Sequence, residues 1–283
     1  PVSNSDERRR READFHDRWA AGVDVASVLV DETFTSVTAL ENRYVLERFG
    51  DLRGLRVLDY GCGAAEGGVY LAKQGARVVA VDVSPGSLEL AQRLAAHHGV
   101  EIETRVVNGA GIPADTDEFD RVYGNGVLHH VPLPETIYEL ARVMNRSGSI
   151  GCFIEPLPYN PAIEVYRRLA AQVRTEDEQP LSFDQIERFR DAFGTVDHRE
   201  FWLTTLSVFF KFFLIDRVSP NQERYWKKIY TDADRIEWFF RPLRRLDEQL
   251  LRRFPALGRC SWTTVISLSD PRARGEPMDL HHD

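Results

Sequence analysis

The sequence predicts an α/β fold, a sheet of parallel strands with helices on both faces. Two observations carry this. From Leu55 onward, short β-branched runs alternate with segments of helical periodicity, the pattern of a sheet covered on both sides. Five of those runs end on a polar residue, Asp59, Asp82, Asn108, Asn125 and Glu155, which lines the carboxyl ends of the strands, where open α/β sheets hold ligands.

The strands read in order as "LRVLD", "ARVVAVD", "IETRVVN", "FDRVYGN" and "GSIGCFIE", with "TVDHREFWLTTL" and "CSWTTVISL" as two late candidates. Between the second and third, residues 84–98 are expected to be helical. Ser84 is placed to cap, Pro85 to fill the first helical position, and Gly99 to stop the helix. After Glu155 the string "PLPYNP" suits neither a strand nor a helix interior, a helical stretch is expected from Ala162, and another over residues 182–193. The first fifty residues are helical in pattern and are expected to cap the carboxyl edge of the sheet. The Arg8 to Arg11 run within them reads as a solvated, frayed charge run. Residues 207–254 carry apolar positions at Ile236, Phe239, Phe240, Leu243, Leu246 and Leu250, with a break expected at Pro242. This gives an N-terminal cap at 1–50, a core at 51–206, a helical lid at 207–254, a final strand at 255–270 and a disordered tail at 271–283.

Bulk composition narrows the function. The chain of 283 residues is 43% hydrophobic and carries a net charge of −8, so it can bury a full core and has no overall positive field for nucleic acid or an anionic membrane. Cys62, Cys152 and Cys260 are few and far apart, which fits neither a disulfide framework nor a metal site. No run reaches membrane-spanning length, and the expected location is cytoplasmic.

The chemistry concentrates in "VLDYGCGAAEGG", where an apolar strand runs into a glycine turn. Gly61 and Gly63 supply two glycines of a dinucleotide fingerprint, but Glu66 stands where the third belongs. Asp59, two positions before the turn, repels a pyrophosphate and favours a cation. Asp82, 21 positions after Gly61, is placed to accept hydrogen bonds from ribose hydroxyls, which suits NAD as well as other nucleosides.

These strings, with "VDVSPGSLELA", "FDRVYGNGVLHHV" and "ELARVMNRSGSIGCFIEP", resemble the class I S-adenosylmethionine-dependent methyltransferases. "EPLPYNP", "YRRL" and "RTEDEQPL" resemble a bacterial, type 11-like branch acting on small molecules, often in natural-product biosynthesis. The resemblance implies a Rossmann-like seven-stranded sheet whose last strand is antiparallel. It implies S-adenosylmethionine as cofactor, no metal, and a cofactor site of Asp59, Gly61, Cys62, Gly63, Asp82, Val83, Asn108, Gly109, Ala110 and Asn125, with Asn108 and Ala110 bordering the adenine. The cofactor bears a sulfonium and an ammonium and no pyrophosphate, so Asp59 becomes an asset.

His129, His130 and Glu155 are the candidates for handling a proton of the acceptor, with Glu155 equally suited to tying down backbone. Nothing basic adjoins Cys62 to activate it, so it reads as a packing residue. The lid aromatics Phe209, Phe210, Phe212, Phe213, Tyr225, Trp226, Trp238, Phe239 and Phe240 suit either an apolar substrate pocket or ordinary helix core. The lid holds eleven Lys and Arg against seven Asp and Glu, which fits an acidic acceptor or a solvated amphipathic face. The expected partner is a small molecule, with no nucleic acid and no membrane. A cofactor-retaining cyclase or isomerase, an NAD(P)-dependent oxidoreductase and a non-catalytic binding subunit remain as alternatives.

Overall fold

The computed structural model describes residues 4–107, 111–161, 163–164, 180–219 and 225–272. Seven strands form one sheet: β1 (Arg56–Tyr60), β2 (Arg77–Asp82), β3 (Glu103–Val106), β4 (Arg121–Asn125), β5 (Ile150–Pro156), β6 (Phe193–Phe201) and β7 (Thr263–Pro271). Their order is β3-β2-β1-β4-β5-β7-β6, and β7 runs antiparallel to both β5 and β6. Chain direction across the sheet reverses between β1 and β4, and the crevice outside their carboxyl ends is the place such sheets bind ligands.

The alternation of side chains sends the two sheet faces into separate cores. Val57, Tyr123, Cys152 and Val265 face one cluster, which includes Phe34 and Phe49 from the N-terminal region and Phe209, Phe212 and Phe240 from the second half. Leu58, Val79, Val122, Phe153 and Ile266 face the other, against α6 (Leu133–Val143) and α7 (Phe183–Glu187). Each fully buried Phe or Leu contributes about 1.5 to 3 kcal/mol, so the first cluster binds both helical additions to the sheet.

The N-terminal region divides its attachment. Helix α1 (Asn4–Ala21) takes in the Arg8 to Arg11 run, so the backbone there is helical rather than frayed. It packs on α5 (Pro85–His97), where Asp17 Oδ1 accepts from Ser84 Oγ (2.6 Å) and Gly86 N–H (2.9 Å). Ser84 itself caps α5 through Ser87 N–H at 2.9 Å, as its sequence position indicates. Helices α2 (Glu32–Thr35) and α3 (Leu40–Phe49) follow, and α3 lies on β5 and β7.

Three local expectations are corrected. Pro242 does not break its helix: α10 (Ala233–Arg253) runs through it. Pro242 is exposed, while Ile236, Phe240 and Asp247 on the buried stripe hold the helix on both sides of it at the loss of one backbone hydrogen bond. The helix expected over 182–193 is shorter. A Ser182/Gln185 capping box starts α7, a 3-10 turn over Arg188–Asp191 follows, and Phe193 already belongs to β6. β6 stops at Phe201, because Trp202 turns to φ +66° and the next three residues bind Asp247 of α10, ahead of the short α8 (Ser207–Phe210). The helical stretch expected from Ala162 falls mostly outside the described residues, as does the tail from 273 onward. Among the described residues, no helix is long and apolar enough to cross a membrane.

Candidate active site

The turn after β1 is built by sterics. Gly61 (φ +66°) and Gly63 (φ +53°) occupy backbone that side chains disfavour. A Cβ on Gly61 would also stand 2.3 Å from Val127 Cγ2, which excludes any larger residue. The amides of Gly61 and Cys62 donate to Val81 O (2.9 and 3.0 Å), tying the turn to β2. Helix α4 (Glu66–Lys73) then starts with Glu66, and the close packing that a third fingerprint glycine would give falls to its two successors. A Cβ on Gly67 would lie 2.2 Å from Tyr123 Cε1, and one on Gly68 2.6 Å from Asp59 Oδ2.

Asp59 is buried at 2% exposure and accepts from Gly68 N–H at 2.9 Å. Burial, reinforced by the charges of Glu66 and Asp82 and opposed by the Gly68 bond, pushes its carboxyl up to about 7. Glu66 is raised by burial as well, with Lys227 as its opposing positive charge. Asp82 spans the crevice: Oδ2 accepts from Gly63 N–H (2.9 Å) and Oδ1 from Ser84 N–H (2.9 Å), so one carboxylate joins the ends of β1 and β2. Three carboxylates around a glycine turn suit a cationic nucleoside and oppose a pyrophosphate, so the residues present fit S-adenosylmethionine. Of the other expected cofactor residues, Cys62 is buried with Ala65, Ala80 and Leu88, and burial pushes its thiol far up, leaving no thiolate for nucleophilic work. Val83 is half-buried directly after Asp82, and Asn125 is exposed at the end of β4. Asn108, Gly109 and Ala110 lie outside the described residues.

The three proton-handling candidates fall together. Gly126 (φ +68°) bends the chain after β4, and the next two amides, Val127 and Leu128, donate to Glu155 Oε1 at 3.0 and 2.7 Å. The second oxygen lies 2.6 Å from His129 Nδ1. Glu155 is fully buried with both oxygens engaged, so the geometry favours its backbone-tying role. With a carboxylate at Nδ1, the imidazole carries its proton there and keeps Nε2 as the basic nitrogen. The His130 ring lies against His129, centroids 4.1 Å apart.

Several contributors escape sequence reasoning. Tyr123 OH donates to Asn42 Oδ1 (2.9 Å), and Glu41 accepts from Trp202 Nε1 (2.8 Å) and Thr263 Oγ1 (2.6 Å), its own carboxyl raised by burial. Both residues sit on α3, which therefore reaches β4, β7 and the turn after β6. In the second half, α9 (Tyr225–Thr231) meets the N-terminal region: Ile229 O accepts from Thr38 Oγ1 (2.8 Å), and Lys227 Nζ donates to Ser27 O (3.2 Å). The glycine pair in "AEGG" and the carboxylate at Glu66 were visible in sequence; the partners 81, 161 and 222 positions away were not. The lid aromatics divide: Phe209, Phe212, Tyr225 and Phe240 are core, whereas Phe210, Phe213, Trp226 and Trp238 are exposed.

Comparison with known proteins agrees with this architecture. Residues 57–148 match the family described as "Methyltransferase domain". A ubiquinone biosynthesis O-methyltransferase of Alkalilimnicola ehrlichii is 32% identical over 139 residues, 48% of this chain and 55% of that protein. The chain spans 31% of the length of a second such O-methyltransferase, of Methylocella silvestris, and about half of the length of the Alkalilimnicola protein. Among solved structures, geranyl diphosphate methyltransferase in complex with S-adenosylmethionine aligns with a TM-score of 0.53 at 16% identity, over 81% of this chain and 83% of that one. The [4+2]-cyclase SpnF aligns with 0.52 at 18% identity, over 82% and 80%. At such identities these two structures share the fold, and fold alone does not assign a reaction. The match to a methyltransferase domain over residues 57–148 thus falls on the segment that carries β1 to β4 and the acidic glycine turn, within a seven-stranded sheet whose β7 is antiparallel.

Proposed function

We propose that the protein transfers a methyl group to a hydroxyl of a small molecule, a secondary metabolite, with His129 as general base. The observation that supports this most is the His129–Glu155 pair: a buried carboxylate held by two amides orients one imidazole, an arrangement suited to removing a hydroxyl proton. The name of the Alkalilimnicola relative, an O-methyltransferase, points the same way.

S-adenosylmethionine supplies an electrophilic methyl group on a sulfonium. The chain's residues do the rest. Gly61 and Gly63 let the backbone approach the nucleoside, Asp82 accepts from its ribose, and Asp59 and Glu66 balance its positive charge, with Asn125 bordering the site. Positioning provides most of the acceleration, because aligned intramolecular reactions reach effective molarities of about 10⁵ M or more. His129 Nε2 takes the hydroxyl proton, and Glu155 stabilises the imidazolium that forms. In this division residues 51–206 serve the cofactor, while 1–50 and 207–254 choose the acceptor, a reading supported by the contacts of α9 with Ser27 and Thr38 and by the charge of its Lys227 on Glu66. The net charge of −8 argues against a nucleic-acid substrate.

The test is incubation with methyl-labelled cofactor and a metabolite extract, followed by mass spectrometry. One phenol or alcohol heavier by a methyl group is expected. A product of unchanged mass formed only in the cofactor's presence would replace methyl transfer with cyclisation or isomerisation.

A further inference from the structure

Away from the glycine turn, a cavity of about 260 Å³ opens between α3 and α10, lined by Thr35, Val37, Arg43, Glu237, Arg241, Arg244 and Arg245. None of the residues of the cofactor cradle borders it. Four guanidiniums face one carboxylate there, in a chain whose net charge is −8. The spacing is helical: Glu237, Arg241, Arg244 and Arg245 occupy positions i, i+4, i+7 and i+8 of α10, while Arg43 comes across from α3.

The single acid is already used. Arg241 Nε donates to Glu237 Oε1 at 2.7 Å. Among the described residues, Arg43 and Arg245 form no ion pair. Arg244 is ion-paired with Glu248, Nε standing 3.3 Å from Oε1, yet its buried Nε–H makes no hydrogen bond. A buried N–H without a hydrogen bond is unfavourable, and mutual repulsion of the arginines adds to that. An anion with several acceptor oxygens would lower both costs.

We propose that this cavity binds the phosphoryl group of a small phosphorylated molecule. Planar guanidiniums pair phosphate oxygens bidentately, and a phosphoryl group concentrates two or more charges where a carboxylate brings one. The volume leaves room for little more than that group and a small body. The bound anion joins α3, which holds Asn42 and Glu41 against the sheet, to α10, which Asp247 anchors to Thr204 and Thr205. It thus clamps the N-terminal helices to the lid.

Calorimetric titration of the full chain with pyrophosphate tests this, beside S-adenosylhomocysteine titrations as a control. Wild type is expected to bind pyrophosphate with an affinity that falls as salt rises, and to gain melting temperature as pyrophosphate is added. Arg43→Ala and Arg245→Ala, both exposed and unpaired, should each weaken it about tenfold or more, with S-adenosylhomocysteine affinity unchanged. Arg252→Ala, on the same helix but outside the cavity, should bind as wild type does. Equal pyrophosphate affinity in wild type and the two cavity variants would overturn the proposal, as would citrate binding as tightly as pyrophosphate. Retention on phosphatidylglycerol vesicles that depends on Arg43 and Arg245, without binding of soluble pyrophosphate, would replace the small molecule with a lipid headgroup.

Discussion

His129 Nδ1 stands 2.6 Å from Glu155 Oε2, and the other oxygen of that carboxylate holds the amides of Val127 and Leu128. One buried acid thus shapes the loop after β4 and sets the tautomer of the imidazole that the loop carries. Replacement of His129 by Ala is expected to lower turnover by about 10² to 10⁴ with little change in S-adenosylhomocysteine affinity. Glu155→Gln should lower turnover, move the pH–rate profile and reduce stability, because the amide still accepts from backbone but no longer stabilises an imidazolium. Undiminished turnover in His129→Ala would leave positioning as the whole mechanism.

Asp59 makes stability depend on pH. Its folded carboxyl lies near 7, above the unfolded value of about 3.9, so the folded state keeps a proton that the unfolded state releases. The Asp59 contribution is therefore fully present below about pH 4 and is lost as pH rises to 7, by a total of about 4 kcal/mol. Asp59→Asn, which keeps an acceptor for Gly68 N–H, should decline less, keeping only the share that Glu66 and Glu41, also raised by burial, contribute. Denaturant midpoints of the cofactor-free proteins between pH 4 and 8 check it, and parallel curves for both would remove Asp59 as the cause.

Asp82→Ala is expected to weaken S-adenosylhomocysteine binding by about 1 to 3 kcal/mol. The melting temperature should fall too, since Gly63 N–H and Ser84 N–H both lose their acceptor. Asp82→Asn separates the effects, because its single amide oxygen can serve one of those donors. Calorimetric affinity unchanged in both variants would place Asp82 outside the cofactor site.

Gly67→Ala and Gly68→Ala each drive a methyl into a neighbour, Tyr123 Cε1 at 2.2 Å or Asp59 Oδ2 at 2.6 Å. A loss of about 1 to 3 kcal/mol is expected for each. Chemical denaturation measures it, and wild-type stability in either variant would mean α4 can shift from β1 without cost.

The lid aromatics should separate by burial. Phe209, 6% exposed and in contact with Trp262 and Tyr225, should cost about 3 to 5 kcal/mol on replacement by Ala. Trp238, 77% exposed, should cost almost nothing. If Trp238→Ala raises KM without changing the melting temperature, that residue meets the acceptor; an unchanged KM would exclude it.

The strands, the Ser84 cap and the glycine turn were legible in the linear sequence because each depends on neighbours a few positions away: side-chain alternation, a hydroxyl reaching its own helix, positive φ at Gly61 and Gly63. Asp59 and Asp82 could be placed beside the glycine turn for the same reason, since a strand end and the turn beside it are set locally. Pro242 misled because its local cost is real, yet the buried stripe from Ile236 to Asp247 outweighs it. Glu155 could be read as base or as anchor until folding placed it 26 residues from His129 in sequence and within hydrogen-bond reach in space. The protonation of Asp59, the hold of Asn42 on Tyr123, the division of the lid aromatics and the cavity shared by Arg43 and Arg245 likewise arise from segments far apart in the chain. Burial and electrostatic field belong to the assembled surroundings, and no stretch of sequence contains the neighbours that create them.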